Sequence, residues 1–175
     1  MRLEYLLAFD WSWQYCMKRA EISTYLNNTE DAVYLSKKAW KQARKEESVE
    51  GCKTAADNLF MLGYAEKATN LYAKLLRLEN VRNDWQACLY VGNILYENNR
   101  KDFRFRTDAF TAYKKAIKSA KRNKDENGMY ALAKVYSKAG SKKKAKKLCR
   151  RGLRMAIKKA DLDAVIKGID CYNSL

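Results

Sequence analysis

A four-fold repeat of small and apolar residues constrains this chain more than any other feature of its sequence. Residues 108–120 carry such side chains at Ala109 and at 3, 4, 7, 8 and 11 residues after it. These positions lie on one face of a helix. The segments that begin at Ala32 and Ala145 keep all six offsets, and the one that begins at Ala68 keeps five. The leading alanines, Ala32, Ala68, Ala109 and Ala145, are separated by 36, 41 and 36 residues. This period predicts a protein built from stacked copies of one structural unit.

A second series precedes each alanine-led helix. Cys16, Cys52 and Cys88 are spaced 36 residues apart, and Met129 and Val165 fill the same place in the next two units. A cysteine that recurs at the repeat period is typical of a buried small apolar residue, so we expect reduced core thiols rather than disulfides or metal ligands. Each unit is therefore predicted to be a hairpin of two helices.

Composition agrees with helices joined by short turns. The 175 residues include no proline and only seven glycines, and 47% are hydrophobic. We predict one all-α domain, 1–175, with repeats at 13–45, 48–79, 83–122 and 125–159 and a capping helix at 160–175. Residues 1–12 are an N-terminal extension whose leucines, Leu3, Leu6 and Leu7, serve either as an end cap or as a partner interface.

Local signals place the turns and the ends of the helices. Asn27 and Asn28 suit a left-handed turn with Thr29 as the next helix cap, Gly63 and Gly140 suit hairpin turns, and Asn83 or Asp84 suits a cap. The five additional residues of the third unit fall in a predicted loop, 98–107. In the capping helix, the predicted packing face consists of Leu162, Val165, Ile169 and Tyr172.

The fourth unit resembles the tetratricopeptide repeat, because Leu132, Ala133 and Tyr136 are followed by Gly140 and Ala145. The third unit is similar to the related Sel1-like repeat, with Val91, Gly92, a long loop, Ala109 and Tyr113. The 36-residue pitch and the lack of proline depart from the tetratricopeptide pattern. The resemblance implies a right-handed α-solenoid of about four helix-turn-helix hairpins plus a C-terminal capping helix, used as a scaffold for other proteins.

The same resemblance implies a concave groove lined by the first helix of each hairpin. The side chains expected to face it are Lys53, Asp57, Leu89, Asn93, Tyr96, Tyr130, Lys134 and Lys138. Tyrosines, an amide and lysines suit an acidic peptide or a C-terminal carboxylate, although ordinary solvent-facing residues are the alternative. Because Ala131 stands where a chaperone-binding clamp needs a polar side chain, we do not predict chaperone binding.

The net charge of +16 is concentrated in one part of the sequence. Residues 1–99 hold 13 basic and 13 acidic side chains, whereas residues 100–160 hold 22 basic and 4 acidic. On the last repeat helix, one face carries a basic patch of Lys143, Lys147, Arg150, Arg154 and Lys158. It is either a solvated face or a site for an acidic protein segment or nucleic acid.

Aromatic residues accompany the basic ones in the insertion of the third unit. Phe103 and Phe105 alternate with Arg104 and Arg106, and we include these two arginines in the basic patch. The pattern suits stacking on bases with pairing to phosphates, but a phenylalanine that fills a gap beneath a loop is the alternative.

Signals for catalysis are missing from the sequence. It has no histidine and no C-x-x-C pair, and the Gly140-Ser141-Lys142 stretch lacks the upstream glycine of a phosphate-binding loop. We therefore expect no enzyme activity, no metal site and no cofactor. The longest uncharged stretch near the start is too short to span a bilayer, and with the odd cysteine count this predicts a reducing, cytoplasmic location.

Three functions remain open on the sequence alone. The first is a non-catalytic adaptor that binds an acidic protein segment through its groove and basic C-terminal half. The second is a protein that binds the RNA or DNA backbone, and the third is a basic subunit of a nucleoprotein assembly. The sequence does not name the partner, the biological process or the oligomeric state.

Overall fold

The computed structural model describes residues 12–98 and 103–175, with Glu79, Asn98 and residues 103–106 described by their backbone alone. These residues form ten α-helices and no strand. The helices are α1 (Trp13–Tyr25), α2 (Thr29–Lys45), α3 (Val49–Met61), α4 (Ala65–Leu75), α5 (Glu79–Asn83), α6 (Trp85–Asn98), α7 (Phe103–Arg122), α8 (Glu126–Lys138), α9 (Lys142–Lys159) and α10 (Leu162–Asn173). The predicted all-α hairpin fold is confirmed.

The chain divides into two compact units, Met1–Leu78 and Glu79–Leu175. In the first, α1 pairs with α2 and α3 with α4, while α2 also packs on α3. In the second, α6 pairs with α7 and α8 with α9, and α10 packs on both helices of the last hairpin. First helices of consecutive hairpins touch within each unit, α1 with α3 and α6 with α8. The single-domain division of the chain stays a prediction.

The repeat period corresponds to the buried seams of the hairpins. Ala32, Ala68, Ala109 and Ala145 are all 0% exposed, and so are the three cysteines of the second series, Cys16, Cys52 and Cys88. Met129 is also 0% exposed, whereas Val165 is only partly buried. Small residues at these places let the two helix backbones approach each other closely.

Six turns repeat one backbone geometry. Each contains a residue with positive φ, at Asn27, Glu47, Gly63, Lys124, Gly140 and Ala160. The residue after it donates its N–H to a carbonyl five residues back, as in Ser48 to Ala43 and Ser141 to Tyr136, both at 2.8 Å. The predicted turns at Asn27, Gly63 and Gly140 are confirmed.

The helix cap predicted at Thr29 was wrong by one residue. Asn28 is the cap, because its side-chain oxygen accepts a hydrogen bond from the backbone N–H of Asp31 at 3.2 Å. Asp84 precedes α6 and accepts from the N–H of Gln86 at 2.8 Å, as one of the two predicted alternatives required. The N-terminal extension, with Leu3, Leu6 and Leu7, lies outside the described residues.

A tryptophan and a glycine meet once in each unit. A Cβ atom at Gly51 would lie 2.6 Å from the Trp13 indole ring, and one at Gly128 would lie 3.0 Å from the ring of Trp85. The Trp85 indole also donates to Oδ2 of Asp125, the cap of α8, at 2.7 Å. Only glycine leaves room for the indole at these two helix starts.

The loop predicted over 98–107 was wrong in its second half. Helix α7 begins at Phe103, so residues 103–107 are helical and extend the alanine-led helix by more than one turn. This stretch contains no glycine or proline, and nothing in its sequence ends a helix.

The packing face predicted for the capping helix was also wrong. Leu162 and Ile169 are 75% and 47% exposed, whereas Ala164 and Cys171 are each 3% exposed and Gly168 is buried. A Cβ atom at Gly168 would lie 2.4 Å from the Tyr130 hydroxyl, so the small face is the one that fits against α8. Close approach selects the face here, rather than side-chain hydrophobicity.

Candidate partner-binding surfaces

Two predicted groove residues are held by tyrosines of their own hairpins. Asp57 on α3 accepts a hydrogen bond from the hydroxyl of Tyr72 on α4, and Oδ1 of Asn93 on α6 accepts from the hydroxyl of Tyr113 on α7 at 3.1 Å. Burial raises the pKa of the Tyr113 hydroxyl, so it remains a donor. The bond uses the acceptor of Asn93 and leaves its amide nitrogen as the group that could donate to a peptide.

Three more predicted groove residues are partly buried. Lys53, Leu89 and Tyr96 keep part of their surface accessible. The Tyr96 ring meets the edge of Phe110 at a centroid distance of 6.3 Å, and Phe110 in turn contacts Tyr113. This aromatic group forms a rigid apolar contact between α6 and α7 of the third hairpin.

Tyr130 does not lie where the sequence placed it. It is 5% exposed, and its hydroxyl donates to the carbonyl of Ala164 on α10 at 2.9 Å. The backbones of Gly152 and Gly168 leave space for its ring, and burial raises its pKa to about 12. The capping helix covers this tyrosine, which therefore belongs to the core rather than to an open groove.

Lys134 and Lys138 lie exposed on α8, and their place in a groove stays a prediction. Lys134 lines a cleft of about 540 Å³ between α8 and α10, together with Lys167, Asp170 and the edge of Tyr130. Two ammonium groups and one carboxylate give this cleft a modest positive balance.

The predicted basic patch on α9 faces solvent. Lys143, Lys147, Arg150, Arg154 and Lys158 are all exposed, whereas Ala145, Leu148 and Gly152 on the opposite side of the helix are buried. Arg150 is also engaged within the unit, because its guanidinium donates to the Tyr172 hydroxyl at 2.8 Å. The side chains of Arg104 and Arg106, also assigned to this patch, lie outside the described residues.

Sequence analysis missed a second basic site in the same unit. Arg82, Lys115, Lys118 and Arg122 line a cleft of about 340 Å³ between α5 and α7, with Asn83 and Ser119 as the other lining residues. Arg122 and Ser119 both donate to the carbonyl of Asn83, which ties α5 to α7. The short helix α5, whose start was not predicted, brings Arg82 to this place.

Comparison with known proteins identifies the fold. No protein-family model matches the sequence, and no curated protein sequence matches it significantly. A crystal structure of MamA, a tetratricopeptide-like helical repeat protein, matches with a TM-score of 0.51 and 18% identity, over 90% of this chain and 85% of that chain. The chain has a tetratricopeptide-like fold. A second MamA crystal structure gives a TM-score of 0.49 at 17% identity, over 93% of this chain and 85% of that one. MamA from Desulfovibrio magneticus RS-1 gives 0.47 at 14%, over 93% and 92%.

The tetratricopeptide-like fold assigns the helices to two layers. Helices α1, α3, α6 and α8 are the first helices of their hairpins, and α2, α4, α7 and α9 are the second helices. The predicted groove residues therefore lie on first helices and the basic patch lies on a second helix, so the two are different surfaces. The resemblance concerns the fold alone.

The described part of the chain contains neither a group of metal ligands nor a membrane-spanning helix. Over residues 12–98 and 103–175, no three His, Cys, Asp or Glu side chains gather as metal ligands would. Within the same ranges, no helix has the length and apolarity needed to cross a bilayer.

Proposed function

We propose that this chain is a non-catalytic scaffold that binds an acidic segment of a partner protein. The observation that carries the proposal is the basic patch of α9, where five cationic side chains are exposed on one face. Neighbouring like charges on a helix repel one another by about 0.2–0.5 kcal/mol per pair, and an acidic partner removes that repulsion. The exposed ammonium groups of Lys134 and Lys138 supply charge of the same sign on the inner layer.

The proposal is tested with a fluorescent acidic peptide and a charge-reversal variant. Lys143→Glu, Lys147→Glu and Arg154→Glu are combined, while Arg150 is kept because it bonds to Tyr172. We expect a loss of affinity of about tenfold or more in fluorescence anisotropy, equivalent to about 1.4 kcal/mol. The double variant Lys134→Glu with Lys138→Glu measures separately how much the exposed lysines of α8 contribute to peptide affinity.

The matched control reverses three exposed charges in the other unit, Lys18, Arg19 and Arg77. It changes the net charge by the same amount but leaves α9 intact. Equal losses in the two triple variants would show non-specific attraction, and the absence of peptide binding to the unmodified chain would refute the proposal outright.

The cleft between α5 and α7 favours a second candidate function, binding to the backbone of RNA or DNA. Among the described side chains, six line this cleft; four of them are Arg or Lys, and none of the six is acidic. Such binding would be non-specific in sequence and steeply dependent on salt. A basic subunit of a nucleoprotein assembly would use the same groups.

Salt dependence separates the two functions. With six phosphate contacts, affinity for a single-stranded RNA would fall about 300-fold between about 50 and 200 mM salt, far more than affinity for a peptide. Lys118→Glu with Arg122→Glu should then weaken RNA binding and spare the peptide. RNA binding that persists in this variant and in the α9 variant would exclude both basic surfaces as the site.

A further inference from the structure

The first unit contains a cleft whose charged lining residues are all basic. It lies between the second helices α2 and α4, has a volume of about 660 Å³, and is a different surface from those described above. Six lysines line it: Lys37, Lys38, Lys41 and Lys45 from α2, and Lys67 and Lys74 from α4. Among the lining residues that the structure describes, none is Asp or Glu.

This concentration of charge is a product of folding. The first unit, residues 1–78, carries 12 basic and 10 acidic side chains, so its net charge is only +2. Packing α2 beside α4 nevertheless brings lysines from two separate segments to one cleft. A bound anion with several negative charges would reduce the repulsion among them.

The floor of the cleft contains a buried donor without an acceptor. Trp40 is 6% exposed, and its indole Nε1 has no hydrogen-bond partner among the described residues. A buried N–H is normally paired, so this donor would be stabilised by an acceptor atom next to it. Phosphate oxygens are such acceptors, and lysine is a common phosphate-binding residue.

The remaining lining residues suit the apolar part of a ligand. Leu59 and Leu71 add apolar surface beside Trp40, and the ring of Tyr34 is 60% exposed at the same cleft. An exposed aromatic ring beside cationic side chains is the arrangement on which nucleobases stack while their phosphates are paired. The volume is within the range of small-ligand sites, about 300–1,000 Å³.

We propose that the cleft between α2 and α4 binds an organic polyphosphate of nucleotide size. Its phosphates contact the lysines of both helices, and its aromatic base lies against Tyr34. This ligand site is independent of the acidic-segment function, because it uses no residue of the second unit.

ATP is the probe for a direct test. Binding is followed by isothermal titration calorimetry and by tryptophan fluorescence at about 50 mM salt, with Kd expected below about 1 mM. Adenosine, which lacks phosphates, should bind at least about tenfold more weakly, since the lysines contribute nothing to it. Lack of detectable ATP binding, or equal affinity for adenosine, would overturn the proposal.

Variants locate the site. Lys41→Glu and Lys74→Glu, one on each helix, should each weaken ATP binding by about tenfold, whereas the exposed Lys18→Glu in the same unit should change it less than about twofold. Trp40→Phe keeps an aromatic ring but removes the fluorophore that lines the cleft, so it should abolish the fluorescence change. Circular dichroism melting confirms that each variant is folded. Equal effects of Lys18→Glu and Lys41→Glu would overturn the assignment to this cleft.

Discussion

The hydroxyl of Tyr113 on α7 donates to Oδ1 of Asn93 on α6 at 3.1 Å, so the second helix of this hairpin fixes a polar side chain of the first helix. One hairpin earlier, Tyr72 makes the equivalent bond to Asp57. Both tyrosines are 1% exposed and hold the same repeat position, four residues after the leading alanine. In these two hairpins, a core tyrosine of the second helix therefore orients a polar side chain on the first helix.

Removing the two tyrosine hydroxyls should have unequal costs. Tyr113→Phe loses a bond to a neutral amide and should lower the free energy of unfolding by about 1 kcal/mol, whereas Tyr72→Phe loses a bond to a carboxylate and should cost about 2 kcal/mol. Urea unfolding followed by circular dichroism measures both. A larger loss for Tyr113→Phe would contradict this ordering.

Tyr136→Phe should have the opposite sign. Its hydroxyl is buried without a hydrogen-bond partner among the described residues, while its ring packs against Phe110 and Tyr113. The variant keeps the ring and the contact with Lys144, so we expect the free energy of unfolding to stay constant or to rise by about 1 kcal/mol. A clear loss in the same urea experiment would reveal an acceptor for this hydroxyl.

The left-handed turn residues offer another gain in stability. Ala160 has φ of +54°, a conformation that costs a residue with a Cβ about 1–2 kcal/mol. After the greater chain entropy of glycine is subtracted, Ala160→Gly should raise the free energy of unfolding by about 0.5–1 kcal/mol. Ala139, with φ of −79°, is the matched control, and Ala139→Gly should destabilise by a similar amount. Thermal melting of the two variants in opposite directions would confirm the strain.

Buried thiols predict a loss of stability at alkaline pH. Burial raises the pKa of Cys52 and of Cys88 from 9.0 to about 11. Between these values the unfolded chain loses thiol protons that the folded chain retains, so the free energy of unfolding falls as pH rises from about 9 to about 11. Below about pH 9 both states are protonated, and these thiols add no pH dependence.

Urea midpoints measured between about pH 8 and pH 11 give the slope of this decline. Burial also raises the pKa of Cys16 and Cys149, so Cys52→Ala removes one of four such thiols and should reduce the slope without abolishing it. A slope that does not change in this variant would assign the alkaline loss to other groups, such as lysines.

The hairpin seams could be predicted from the sequence because a helix face repeats with a fixed period. The alanines and cysteines of both series are too small to contribute much hydrophobicity, yet their recurrence at intervals of 36 or 41 residues identified their position. The face of α10 could not be predicted in this way. Leu162 and Ile169 are the more hydrophobic residues, but only the face with Gly168 fits beside the ring of Tyr130.

The lysine cleft of the first unit could not be predicted from charge counted along the chain. Such a count averages the charge over every face of each helix. The signal that could have revealed it is positional. Lys38 and Lys74 both follow the leading alanine of their helix by six residues, so the repeat register places them equivalently. Counting charge by repeat position, rather than by segment, would have brought them together.

The pairing of tryptophan with glycine bears on how such a chain can change its length. Trp13 and Trp85 are 72 residues apart, which is two repeats, and each meets a glycine at the start of the next hairpin. A duplication or deletion of two hairpins preserves every such pair. A change of one hairpin would set an indole against a side chain that occupies its space. We therefore expect insertions and deletions in this architecture to be tolerated best when they involve pairs of hairpins.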